Sequence, residues 1–153
     1  MIYINNKEKI EKLKEIQEYC VRVHIEGAQH SVSDERIVQN FEGTCIRRNE
    51  KMYVRYNEED GQGNSLPVIL VLAPGSIALK RGKGYGNPSY ETGKMTECAY
   101  ATEYGTIAMR IETEHLDYSE SDTGICAAAF YTLTMNGMEI KDCELKVIIR
   151  VRR

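Results

Sequence analysis

The chain has no tryptophan, only two phenylalanines and three prolines in 153 residues. It has no apolar run near the ~20 residues a membrane-spanning helix needs. Its longest, residues 68–73, is the size of a strand. The opening MIYINNKEKIEKLK lacks the apolar stretch of a secretory signal, so none is expected. The NxS match, Asn87-Pro88-Ser89, has proline at its centre and is no glycosylation site. There is no surplus of positive charge either. Lys and Arg number 20 against 23 Asp and Glu, a net charge of −3, so nucleic acid is not an expected partner. The five cysteines (Cys20, Cys45, Cys98, Cys126 and Cys143) are odd in number and contain no Cys-x-x-Cys pair. They read as reduced, mostly buried thiols of a cytoplasmic protein rather than as disulfides or a metal site.

What is present is enough for one domain with a real core. A chain of this size buries about 69% of its unfolded surface. Hydrophobic residues make up 42% and charged residues 28%, as in an ordinary globule. Residues 5–18 predict the one helix. Asn5 can cap it, Glu8 stands three positions on, and Ile10, Leu13 and Ile16 form a narrow apolar stripe that must dock on something. From residue 19 the period changes to two, and residues 19–153 read as a single β domain. Val21, Val23 and Ile25 alternate with Arg22, His24 and Glu26, the pattern of a half-buried strand. Further strands are expected over residues 36–48, with Gly43 allowing a bend, and over 52–56, 67–73, 77–81, 94–101, 104–113, 125–135 and 138–151. Residues 82–93 read as a long, flexible connection. Asn136-Gly137 is a strong hairpin signal. In the last strand, Cys143, Leu145, Val147, Ile149 and Val151 are expected inside, with Glu144, Lys146, Arg150 and Arg152 in water.

No helix-period segment separates these strands, so βαβ units are excluded and the sheet is expected to be antiparallel. Eight to ten strands must close or stack. A closed up-and-down barrel removes the exposed edges and is the expected fold, with a two-sheet sandwich as the alternative.

The segment FEGTCIRRNEKMYVRYNEE from Phe41, then LKRG, YATEYG and YTLTMNG, carries a resemblance. Its positions include Gly43, Tyr53, Tyr56, Glu58, Arg81, Gly82, Tyr100, Thr102, Tyr104, Gly105, Tyr131, Asn136 and Gly137. In their order and spacing, over about residues 19–151, the chain resembles the YwiB-like family of small bacterial proteins of uncharacterised function. The resemblance implies a calycin-like, lipocalin-type barrel. It implies no catalytic residues.

The polar candidates follow from strand phase. Arg81 is in phase with Ile77 and Leu79, so it either ends its strand at the rim with its stem packed and its head in water, or points into the barrel mouth, flanked by Tyr100 or Tyr131. Arg55 is a weaker companion. His115 continues the phase of Ile107, Met109 and Ile111 and so could face inward. The loop RGKGYG at residues 81–86 could offer backbone amides to a phosphate, but it fits neither glycine-rich phosphate motif and no helix follows it. The acidic residues Glu112, Glu114, Asp117, Glu120 and Asp122 read as a solvated strand and turn. No HxH, HExxH or GxSxG occurs, so no metal, cofactor or nucleophile is assigned. The expected function is a non-enzymatic binding module for a small anionic ligand or a peptide, with Arg81, Tyr100, Tyr131, Arg55 and His115 as ligand-binding candidates. A filled barrel acting in protein interaction, with a homo-oligomer as one form, is the alternative. An enzyme working through barrel-mouth Arg, Tyr and His groups is the third reading.

Overall fold

The computed structural model describes residues 17–82 and 84–152. The helix expected over residues 5–18 lies outside the described residues except for Gln17 and Glu18, which lead into the first strand without helical structure. Every regular element described is a strand. They are β1 (Tyr19–Gln29), β2 (Arg36–Arg48), β3 (Lys51–Glu59), β4 (Ser65–Ala73), β5 (Ser76–Lys80), β6 (Ser89–Glu91), β7 (Met95–Thr102), β8 (Gly105–Ser121), β9 (Gly124–Met135) and β10 (Met138–Val151).

The ten strands form one sheet in the order β6-β5-β4-β3-β2-β1-β10-β9-β8-β7. Every pairing is antiparallel, and apart from the β1–β10 pair each joins strands consecutive in sequence. The result is a nearly closed up-and-down barrel, with its seam between β6 and β7. Across the seam Ala101 N–H donates to Gly84 O at 3.0 Å, and Thr96 Oγ1 donates to Ser89 O. Beside it, Thr113 N–H donates to Lys94 O at 3.1 Å, and Gly93 N–H to Thr113 O at 2.9 Å. These contacts tie up edge groups that would otherwise invite pairing with another chain.

Period-two patterning decides what lies inside. Val21, Val23 and Ile25 of β1 meet Ile149 and Val147 of β10, and Val54, Leu70 and Leu79 continue the interior across β3, β4 and β5. Leu70, Leu72, Ile77, Ile111, Ile149 and Val147 are almost wholly shielded from water. Gly43 has no room for a side chain, since a Cβ there would come within 2.2 Å of Arg55 O. The bend at this position therefore rests on close backbone approach between β2 and β3. The β9–β10 hairpin turns on Asn136 and Gly137, whose φ values of 51° and 76° match the turn that this dipeptide favours.

Two features differ from the sequence reading. The connection over residues 82–93 contains β6, and its start is clamped. Asn87 Oδ1 accepts from Arg81 N–H at 2.7 Å and from Gly82 N–H at 3.1 Å, while Asn87 Nδ2 donates to Gly82 O at 2.9 Å. In addition, β8 runs through the acidic stretch to Ser121, well past residue 113, with a bulge between Thr113 and His115. The bulge inserts Glu114 and reverses the phase beyond it, as an extra residue must. Inward positions pass from Ile111 and Thr113 to Leu116 and Tyr118.

Candidate functional site

The polar cluster inside the barrel begins with β3. Val54, Tyr56 and Glu58 share the inward face, and Glu58 sits one residue from the strand end. Arg81 follows β5 directly, in phase with Ile77 and Leu79. Its Nε–H donates to Glu58 Oε1 at 2.7 Å and its Nη2–H to Glu58 Oε2 at 3.3 Å. The two side chains are 24% and 12% exposed, so this is a forked, largely desolvated pair at the mouth. Burial pulls the guanidinium pKa down, but the Glu58 hydrogen bonds and charge outweigh it and the net direction is up. Tyr56 donates to Glu58 Oε2 at 3.4 Å and packs on Phe41, with ring centroids 4.6 Å apart. Burial raises the Tyr56 phenol, and the adjacent Glu58 carboxylate adds to this.

Tyr90 of β6, the strand paired with β5, and Tyr131 of β9 add further polar groups to the interior. Their rings meet edge to face at a centroid distance of 4.9 Å. Burial drives Tyr90 well above the ordinary phenol range, and it drives Tyr131 to about 12. Both are therefore neutral hydrogen-bonding groups at physiological pH, not bases. Thr113 pairs with Tyr131 across β8 and β9 and is 3% exposed, and its buried Oγ1 has no hydrogen-bond partner among the described residues. An orphaned hydroxyl is uncommon in a folded interior and costs about 1–3 kcal/mol. The barrel interior thus offers the Thr113 hydroxyl, three neutral phenols and a guanidinium. Glu58 occupies one edge of that guanidinium. This chemistry can hold and orient a polar ligand. It supplies no activated nucleophile.

The expected candidates divide between two surfaces. Arg81 and Tyr131 come together through Tyr90. Tyr100 takes its place in β7 opposite Ile107, and its side chain lies outside the described residues. Arg55 is exposed on the outer face of β3. His115 also faces outward, because the Glu114 bulge breaks the phase that pointed it inward. It accompanies Asp117 at 2.6 Å and lies over Phe130. The backbone amides of Arg81 and Gly82 are taken by Asn87 and are not offered to phosphate. Sequence reasoning did not single out Tyr90 or Thr113, and it noted Tyr56 and Glu58 only as family positions. The phase of Glu58 with Val54 and Tyr56 was a usable signal, whereas the three-residue strand holding Tyr90 was not. Among the described residues, no three His, Cys, Asp or Glu side chains converge on a metal-binding arrangement.

A second polar group lies on the outer face. Glu144, expected in water, is 8% exposed. It pairs with Arg36 Nη2 at 2.9 Å and His30 Nε2 at 3.2 Å, brought to it by β2 and the β1–β2 connection. Arg36 also reaches Glu26 at 3.3 Å, and His24 lies between Glu26 at 2.9 Å and Asn40 at 2.7 Å. The Glu26 and Asn40 hydrogen bonds raise the His24 pKa, and the His24 hydrogen bond lowers that of Glu26.

Among described residues, no helix is long and apolar enough to cross a membrane. The YwiB protein from Bacillus subtilis has a similar solved structure. Its TM-score is 0.71, at 15% identity, over 93% of this chain and 99% of that one. The likeness confirms the barrel and agrees with the family resemblance read from the Tyr- and Gly-bearing segments. No curated protein matches the sequence. A family described as a domain of unknown function, DUF1934, matches residues 23–147, and the chain belongs to that family.

Proposed function

We propose that the protein is a non-enzymatic binding module of calycin type. Its ligand is small and carries an anionic group and a hydrogen-bond donor, and the binding site is the Arg81 end of the barrel. The observation that carries this reading is the buried Thr113 Oγ1, which has no hydrogen-bond partner among the described residues and sits beside Tyr131, whose ring meets that of Tyr90. A ligand donor would satisfy Thr113. Its anionic group would use the guanidinium edge that Glu58 leaves free. The setting we propose is the bacterial cytoplasm, supported by five unpaired cysteines, of which Cys45 and Cys143 are buried.

Native mass spectrometry of protein purified from its own host tests this. A retained small molecule that is lost in Thr113→Val, with the melting temperature unchanged, is the expected result. Protein that carries no ligand, and whose melting temperature no small carboxylate or phosphate raises, would overturn it. The interior aliphatic packing around Leu70, Ile77 and Val147 favours a second reading, a filled barrel used for protein interaction. That outcome would leave the second reading standing.

A further inference from the structure

Away from the seam, two long stretches of strand have a partner on one side only. Residues 36–42 of β2 pair with β1, but the β2–β3 register begins at Gly43. Residues 115–121 of β8 pair with β9, but the β7–β8 register ends at Glu112. Among the described residues, no further backbone hydrogen bond covers the open side of either stretch. In an antiparallel ladder every second residue turns its N–H and C=O away from its partner, so both stretches present free backbone groups. The two edges differ in what they carry. That of β8 bears Asp117 and Glu120, charges of the kind that keep a free edge from pairing with a copy of itself. That of β2 reads RIVQNFE, with no charge between Arg36 and Glu42. Ile37 is 72% and Val38 48% exposed, and Gln39 and Asn40 are exposed beside them.

We infer that this β2 edge pairs antiparallel with the same edge of a second copy of the chain, about a two-fold axis at Gln39. The stretch is complementary to itself in that register. Arg36 falls opposite Glu42, Ile37 opposite Phe41 and Val38 opposite Asn40, with Gln39 facing its own counterpart. The charge match is what selects a second copy as the occupant, since each end of the stretch meets the opposite sign. Within one chain Arg36 bonds Glu26 and Glu144, and Glu42 bonds Arg152. The Arg36 and Glu42 side chains are still 42% and 68% exposed, so they can meet across the axis as well. Phe41 packs on Tyr56 at the edge of the core. An Ile37 laid opposite it extends that apolar surface and leaves water. On the other face the two copies of Val38 are diagonal neighbours, within reach of each other. A two-fold pair uses both β2 edges and leaves neither open, so assembly stops at the dimer.

Sedimentation equilibrium of the full chain tests this, and should give twice the 17.5 kDa of one chain as concentration rises. Ile37→Lys puts a charge on the edge at an exposed position. It should weaken the dimer by roughly tenfold or more, with the melting temperature unchanged where both proteins are monomeric. Ser119→Lys, on the β8 edge, should leave the dimer as it is. A photoreactive benzoylphenylalanine at position 39 should cross-link between chains, to residues 36–42 of the other copy. A monomer at every concentration would overturn the proposal. So would assemblies larger than a dimer, an Ile37→Lys protein that dimerises like the wild type, or cross-links to the β8 edge of another copy. Cross-links within one chain to residues 1–16 would assign the edge to that segment and overturn it too. The inference is independent of the ligand reading, because Thr113→Val leaves this edge intact and ligand and dimer are measured separately.

Discussion

Glu58 and Glu144 are two well-shielded carboxylates with opposite histories. Glu58 lies in the inward phase of β3 and meets one arginine in a forked pair at the barrel mouth. Glu144 lies in the outward phase of β10, between the inward Cys143 and Leu145. It is shielded because Arg36 and His30 fold over it. The first is buried by its own strand, the second by chain 108 or more residues earlier in sequence. The difference separates two roles. The Arg81–Glu58 pair stands half-shielded at the barrel mouth, where we propose that a ligand engages it. The Glu144 network has its acceptors engaged by β1–β2 and acts as a clasp.

Breaking each pair sharpens the distinction. Glu58→Ala strands a guanidinium that is only 24% exposed, and it should cost about 2–3 kcal/mol in urea unfolding. Arg81→Met should cost a similar amount, and the double variant Arg81→Met, Glu58→Gln much less than the sum. Strict additivity would mean that the two groups do not act as a pair. Glu144→Ala should cost about 1–2 kcal/mol, above the ~0.5 kcal/mol of an exposed site. A value within surface scatter would return Glu144 to the solvated role that its strand phase suggests.

The clasp also predicts a pH response. The folded His24 pKa is raised from 6.5, so its contribution is present below pH 6.5 and fades as pH rises through the folded value. The folded Glu26 pKa is lowered from 4.5, so its contribution is present above pH 4.5 and fades as pH falls through its folded value. Arg36 and Lys146 favour the Glu26 charge, and Lys146 opposes that of His24. The difference in melting temperature between wild type and His24→Gln should therefore be larger at pH 5.5 than at pH 8. A constant difference would remove His24 from the network. The smallest effect belongs to His115→Ala. This outward side chain, 64% exposed, should stay within ~0.5 kcal/mol of wild type in urea unfolding.

Sequence periodicity by itself determined most of the architecture. Alternation in β1 and β10, the Asn136-Gly137 turn and the absence of helical spacing between strands specify an antiparallel barrel, because side chains alternate faces along every strand. That rule also placed Arg81 at the mouth. It failed at His115, where the inserted Glu114 flips the phase, since nothing in the residues around a bulge announces it. It failed at Glu144, since phase reports the face of a sheet and not what a distant segment lays over it. Tyr90 was hidden in a three-residue strand too short to show a period. Only the closed tertiary arrangement decided that Glu58, Arg81, Tyr90, Thr113 and Tyr131, from separate parts of the chain, all reach the barrel interior. A barrel brings strands together by curvature, and curvature is set by bulges, tight glycines and long-range pairing that no local pattern encodes.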